Sequence, residues 1–167
     1  ILIDDGSYDN SWLKIEENCK KDHRIKGIRL SKNFGQHYAI SAGLKKCFGN
    51  HAIVMDCDLQ HDPIYIKDLV SKAQEGFDIV FTLELNVKNS IIRRTTSNLF
   101  YSIFNYFSNL KNVDQRIGNY SMISRKVINC YNSSKEYHRH YLMLLRNFGF
   151  SSAILSIKHN ERFTGQS

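Results

Sequence analysis

Four short apolar runs alternate with three amphipathic stretches over the first half of this chain, and that alternation limits the folds open to it more than any other feature. The runs at residues 1–3, 25–30, 52–55 and 78–83 have strand length and strand composition. After the first, Asp9, Asn10 or Ser11 can cap a helix through Trp12, Leu13 and Ile15 to about residue 21. A second helix is predicted over 38–48, closed by Gly49 and Asn50. A third begins at Pro63, the only proline, which suits a first helical turn; it runs through Ile66, Leu69 and Val70 to about residue 74, and Gly76 ends it. The order implies an α/β fold with a mixed, mostly parallel sheet and helices on both faces. Beyond residue 86 the pattern changes. A helix over 97–110 carries Leu99, Phe100, Ile103, Phe104, Tyr106 and Phe107. Its broad apolar face suits core packing, with an acceptor-side or membrane-facing surface as the alternative. A short strand over 120–124, a helix over 136–147 and a last strand over 153–157 complete the reading.

The 167 residues, 42% of them hydrophobic, make about one domain with a real core. No apolar run reaches the roughly 18 residues of a membrane span. The chain opens at Ile1, inside an apolar run, and is expected to be a fragment whose earlier strand and helix are missing. Cys19, Cys47, Cys57 and Cys130 are far apart, which fits free thiols in a reducing cytoplasm rather than a zinc site or a redox pair. His138 and His140 lie two apart and read as surface or packing residues. A net charge of +7 favours anionic partners such as nucleoside diphosphates or anionic lipid headgroups. The basic residues are dispersed and no nucleic-acid motif is present, so nucleic acid is not an expected partner.

In a parallel α/β sheet, ligands sit beyond the carboxyl ends of the strands. Asp4-Asp5-Gly6-Ser7, Asn33 and Asp56-Cys57-Asp58-Leu59-Gln60 all fall at such ends. If the third strand stayed extended, Asp56, Asp58 and Gln60 would point to one side, because strand side chains alternate with period 2. Two carboxylates and an amide oxygen suit a hard cation, Mg²⁺ or Mn²⁺, with positions left open for a diphosphate.

The motifs together resemble the family 2 inverting glycosyltransferases of the GT-A fold, in the branch of dolichyl- and polyprenyl-phosphate sugar transferases. Ile3-Asp4-Asp5-Gly6-Ser7 is similar to that family's V-D-D-G-S. Ser31 to His37, with Ala39 and Ala42-Gly43-Leu44, resembles S-R-N-F-G-x-x-x-A-x-x-A-G-L. Met55 to Pro63 resembles M-D-A-D-L-Q-D-P-P, and Ile123-Ser124-Arg125-Lys126-Val127 resembles the strand after the acceptor loop. Arg162 to Ser167 resembles R-x-x-G-x-S.

The resemblance implies a single catalytic domain over 1–167, with a nucleotide-sugar-binding half to about residue 86 and an acceptor-side half after it. It implies that Asp4 and Asp5 contact the base and ribose, that Lys32 and Asn33 line that pocket, and that Asp56, Asp58 and Gln60 hold the metal–diphosphate. Arg162 would add charge to a phosphate. The donor would be a nucleoside-diphosphate sugar and the acceptor a lipid phosphate or a glycan, at the cytoplasmic face of a membrane.

Two departures pull in opposite directions. Glu84 and Val87 stand where that family has Arg, and Glu84 would repel a phosphate unless Lys88, Arg93 or Arg94 compensates. Gly118-Asn119-Tyr120-Ser121 replaces G-D-F-R, and Asn119 is no general base. An ionised lipid phosphate needs little base assistance, whereas a sugar hydroxyl does. Asp114 is the nearest substitute carboxylate, so Asp58 and Asp114 are the candidate catalytic residues. Two other readings stay open: a nucleotide-sugar-binding module without chemistry, and a phosphohydrolase of the haloacid dehalogenase type. The latter class opens its core with Asp-x-Asp, whereas here two other motifs come first.

Overall fold

A computed structural model describes residues 1–85, 117–136 and 140–158. The described strands are β1 (Leu2–Asp4), β2 (Gly27–Arg29), β3 (His51–Val54), β4 (Ile79–Glu84), β5 (Ile117–Ser124) and β6 (Ser152–Ile157). The described helices are α1 (Ser11–Lys21), α2 (Gln36–Lys46), α3 (Ile66–Gln74), α4 (Arg125–Ser133) and α5 (Tyr141–Asn147), with a 3₁₀ turn at Pro63–Tyr65 before α3. The strands form a two-stranded sheet, β1-β2, and a four-stranded sheet in the order β3-β5-β4-β6. This is the expected mostly parallel α/β class, divided into two sheets where the alternation alone implies one. The chain forms two compact units, residues 1–52 with 123–149, and residues 53–122 with 150–167.

In the first unit β1 pairs in parallel with β2, with Asp4 opposite Arg29. The connecting helix α1 closes on β2 because Gly27 has no side chain: a Cβ there would meet Ile15 at 2.7 Å. Gly43 does the same for α2, leaving room for Ile3. Helices α4 and α5 bury Val127, Ile128 and Tyr131, and Tyr141, Leu144 and Leu145. The Tyr131 hydroxyl meets the Ser41 hydroxyl at 2.9 Å, and the ring meets Tyr141 edge-on at 5.9 Å. His140 is exposed and lays its ring against His37 at 4.1 Å, within the surface-or-packing reading, while His138 lies outside the described residues.

Three expectations in this unit need correction. Helix α2 ends at Lys46, and Gly49 does not cap it. The Arg125 guanidinium donates to the Cys47 carbonyl at the helix end and to the Gly49 carbonyl two residues beyond it. The motif around Ile123 to Val127 is not all strand: β5 stops at Ser124 and α4 begins at Arg125. The helix expected over 136–147 starts at Tyr141, with Glu136 outside any helix.

In the second unit Leu69, Val80, Tyr120, Met122 and Ile157 form a buried cluster, with Ile53, Val70, Phe77 and Leu155 packed against it. Strand β4 pairs in parallel with β6, from Ile79 opposite Ser152 to Glu84 opposite Ile157. β6 ends the strand order and alternates between exposed and covered residues, as a half-covered strand does. β5, between β3 and β4, is buried continuously from Tyr120 to Ser124. Asp62 caps the 3₁₀ turn by accepting from the Ile64 amide at 2.9 Å, with Pro63 in its first turn. Gly76 ends α3 in the left-handed region, at φ +100°. The expected helix over 97–110 lies outside the described residues.

Candidate functional site

The first unit brings Asp4, Asp5, Lys32 and Asn33 into one cluster. β1 ends at Asp4, and the chain turns sharply at Gly6, whose φ is +72°. The turn is pressed against the backbone after β2: a Cβ on Gly6 would lie 2.4 Å from the Lys32 carbonyl carbon and 2.7 Å from the Asn33 nitrogen. Asp4 is 3% exposed. Its Oδ1 accepts from the Ser7 amide at 3.1 Å. Its Oδ2 lies 3.3 Å from Arg29 Nε, within ion-pair distance. The N–H is not directed along that line, and this buried oxygen accepts no hydrogen bond. Asp5 spends both oxygens on the neighbouring loop, Oδ1 accepting from Phe34 N–H and Oδ2 from Gly35 N–H, each at 2.8 Å. Lys32 and Asn33 are exposed. The Lys32 ammonium stands over the Phe34 ring at 5.1 Å.

Asp5 therefore clamps the Lys32–Gly35 segment, and its remaining lone pairs are what it can offer a ligand. Asp5→Ala is expected to weaken metal-free nucleotide binding by about 1.5–3 kcal/mol, as for hydrogen bonds to a charged group. Asp5→Asn should not rescue it, because the amide NH₂ would face a backbone N–H. Calorimetry without metal measures both, and a defect confined to metal-dependent binding would contradict the assignment.

In the second unit Asp56, Asp58 and Gln60 lie on a loop rather than on an extended strand, which corrects the period-2 argument. β3 stops at Val54, and the chain bends through Cys57, Asp58 and Leu59. Leu59 has φ +64°, the only described non-glycine residue with positive φ. Asp58 Oδ1 accepts from Gln60 N–H at 3.1 Å. The Asp56 amide donates to His61 Nδ1 at 3.2 Å. His61 is 5% exposed and stacks on Tyr120 with centroids 4.9 Å apart. The Tyr120 hydroxyl donates to the Asp62 carbonyl at 3.2 Å, and burial, then the Asp62 charge, push its pKa up.

Asp56, Asp58 and Gln60 are half-buried on five residues of chain. Among the described residues no group of three or more His, Cys, Asp and Glu is disposed to hold a metal ion. A loop with two carboxylates and one amide oxygen fits a hard cation that completes its shell with diphosphate and water, as Mg²⁺ commonly does. His61 was not a candidate in the sequence. Its link to Asp56 spans five residues and follows no periodic signal.

Asp114 and Arg162 lie outside the described residues, as do Val87, Lys88, Arg93 and Arg94. Asn119 sits on β5, with its Oδ1 buried and without a hydrogen-bond partner. Among the described residues no helix is long and apolar enough to cross a membrane.

Comparison with known proteins defines the class. The fold is similar to a solved bifunctional IspDF from Campylobacter jejuni, with TM-score 0.52 and 10% identity over 89% of this chain and 36% of that one. That likeness bears on the α/β fold alone. The family model "Glycosyl transferase family 2" matches residues 1–132, and the chain belongs to that family. The match sets aside the phosphohydrolase alternative. Similar relatives include an uncharacterized glycosyltransferase of Synechocystis sp., 30% identical over 99% of this chain and 52% of the relative. Undecaprenyl-phosphate 4-deoxy-4-formamido-L-arabinose transferases of Proteus mirabilis and Shewanella sediminis are each 33% identical over 100% of this chain. The chain spans about half the length of these relatives, 50–52%.

Proposed function

We propose that the protein transfers a sugar, with inversion and with help from a divalent metal, from a nucleoside-diphosphate sugar to a polyprenyl phosphate. The setting would be cell-envelope polysaccharide or glycolipid synthesis at the cytoplasmic face of the membrane. The observation that carries the donor reading is the Asp4–Asp5 cluster, where Asp5 holds the Phe34 and Gly35 amides and the Gly6 turn presses against Lys32 and Asn33. Arg29 offsets the charge on Asp4 Oδ2 at 3.3 Å, and the remaining carboxylate lone pairs of Asp5 suit the N–H and hydroxyl donors of a nucleoside. Asp56, Asp58 and Gln60 would hold Mg²⁺ or Mn²⁺, which would neutralise charge on the leaving diphosphate. Lys32, Asn33 and Arg162 would add contacts to the donor.

The acceptor reading draws on the relatives named for undecaprenyl phosphate and on Asn119. A phosphate already ionised needs positioning more than deprotonation, so Asn119 in place of a carboxylate does not disable the transfer. Asn119 equally favours a second reading, a nucleotide-sugar-binding module that has lost turnover.

The acceptor is tested by measuring product formation across pH with polyprenyl phosphate and with a soluble glycan, using the full-length protein. With the lipid phosphate, activity should change little above the phosphate's second pKa of about 6. A glycan acceptor would instead show a base limb, and Asp114→Asn would then lower turnover by about 100-fold. Transfer to the glycan alone would remove the lipid-phosphate reading and leave glycosyl transfer standing.

A further inference from the structure

We infer that His61 is a positioning residue that holds the Asp56–Gln60 loop in its ion-binding shape. The inference rests on the reading of Asp56, Asp58 and Gln60 as metal ligands. The bond from Asp56 N–H to His61 Nδ1, at 3.2 Å, joins the two ends of the segment that carries all three of them. A backbone N–H can only donate, so Nδ1 presents its lone pair and the ring proton sits on Nε2. The imidazole is 5% exposed. It stacks on Tyr120 with centroids 4.9 Å apart and planes 25° apart.

Tyr120 is fully buried. Its carbonyl accepts from Thr82 Oγ1 at 2.6 Å, and its hydroxyl donates to the Asp62 carbonyl at 3.2 Å. A chain of contacts therefore runs from the core of the second unit through Tyr120 and His61 to the Asp56 amide. Leu59, at φ +64°, shows that the loop is held away from the backbone's own preference. Such a conformation persists only where its surroundings over-determine it. The turn between Asp58 and Gln60 fixes one side of Leu59, and His61 fixes the ends.

Two substitutions separate the acceptor from the ring. His61→Phe keeps a planar ring on Tyr120 and removes the acceptor. His61→Asn keeps an acceptor near the Nδ1 position and removes the ring. Using the full-length protein, the tightest binder among UDP, GDP, CDP, ADP and dTDP is titrated with and without Mn²⁺. His61→Phe should weaken the Mn²⁺-dependent binding about tenfold, the order expected when a buried backbone N–H loses its partner. His61→Asn should recover most of that loss, and metal-free binding should be unchanged in both. Nitrogen-15 spectra of the unsubstituted protein give a check that needs no variant to fold: His61 should carry its proton on Nε2.

Wild-type metal dependence with an unaffected Phe variant overturns the inference alone. So does an equal loss with and without metal, or a proton on Nδ1. A wild-type protein that binds none of these nucleotides, or binds them equally without Mn²⁺, overturns the metal reading and this inference with it.

Discussion

Asp58→Ala is expected to abolish Mn²⁺-dependent nucleotide binding, a loss of more than about 100-fold. Changing a residue that merely supports a metal ligand costs about 10–100-fold, and removing a charged ligand should exceed that. Asp58 also accepts from the Gln60 amide at 3.1 Å, so the alanine would remove both the proposed ligand and the turn that follows it. Asp58→Asn separates these roles. Its amide oxygen can still accept from Gln60 N–H, but it lacks the charge that attracts a cation, so it should keep the fold and still bind poorly. Calorimetric titration of nucleotide with and without Mn²⁺ measures each variant, and unchanged metal-dependent binding in Asp58→Ala would contradict the assignment.

Gly6→Ala is expected to destabilise the protein by about 2–5 kcal/mol. The left-handed conformation at φ +72° costs a residue with a Cβ roughly 1–2 kcal/mol, and overpacking adds about 1–3 kcal/mol. The obstacle is backbone, the Lys32 carbonyl carbon at 2.4 Å and the Asn33 nitrogen at 2.7 Å, so no rotamer change relieves it. The loop that Asp5 clamps must move, and metal-free nucleotide affinity should fall together with the midpoint of chemical denaturation. Gly76→Ala is the control: its φ is also positive, at +100°, but a Cβ there meets nothing within 4 Å. Equal losses in the two variants would show that the close approach of Gly6 to Lys32 is unimportant.

Much of the fold was legible because its signals are local. The strands and helices of the first 84 residues follow from apolar runs, from Pro63 at a first turn and from Gly76 at a helix end. The placement of Asp4, Asp5 and Asn33 at strand ends follows from the same alternation. What escaped depends on contacts across sequence. Helix α4 begins where Arg125 turns to the Cys47 and Gly49 carbonyls, more than 70 residues earlier. Its buried Val127, Ile128 and Tyr131 stand at helical spacing, a local signal present in the sequence although no helix is expected there. Gly49 does not cap α2 because the chain is already extended at Cys47. The loop at Asp56 to Gln60 departs from period 2 because Leu59 is left-handed and His61 draws the Asp56 amide back. The double hydrogen bond from Asp5 to Phe34 and Gly35, 29 and 30 residues away, likewise has no local trace.

The most direct test of the account is sugar transfer by the full-length protein. A panel of nucleotide-sugars is incubated with polyprenyl phosphate or a soluble glycan, with Mg²⁺ or Mn²⁺, and both the glycosylated acceptor and the released nucleoside diphosphate are measured. One donor is expected to yield a sugar-linked polyprenyl phosphate, with one nucleoside diphosphate released per sugar transferred. This product should be lost when metal is chelated and in Asp58→Ala. Tight nucleotide-sugar binding with no transfer to either acceptor would contradict the transferase reading, and would make the protein a binding module that has kept the Asp4–Asp5 cluster without the chemistry.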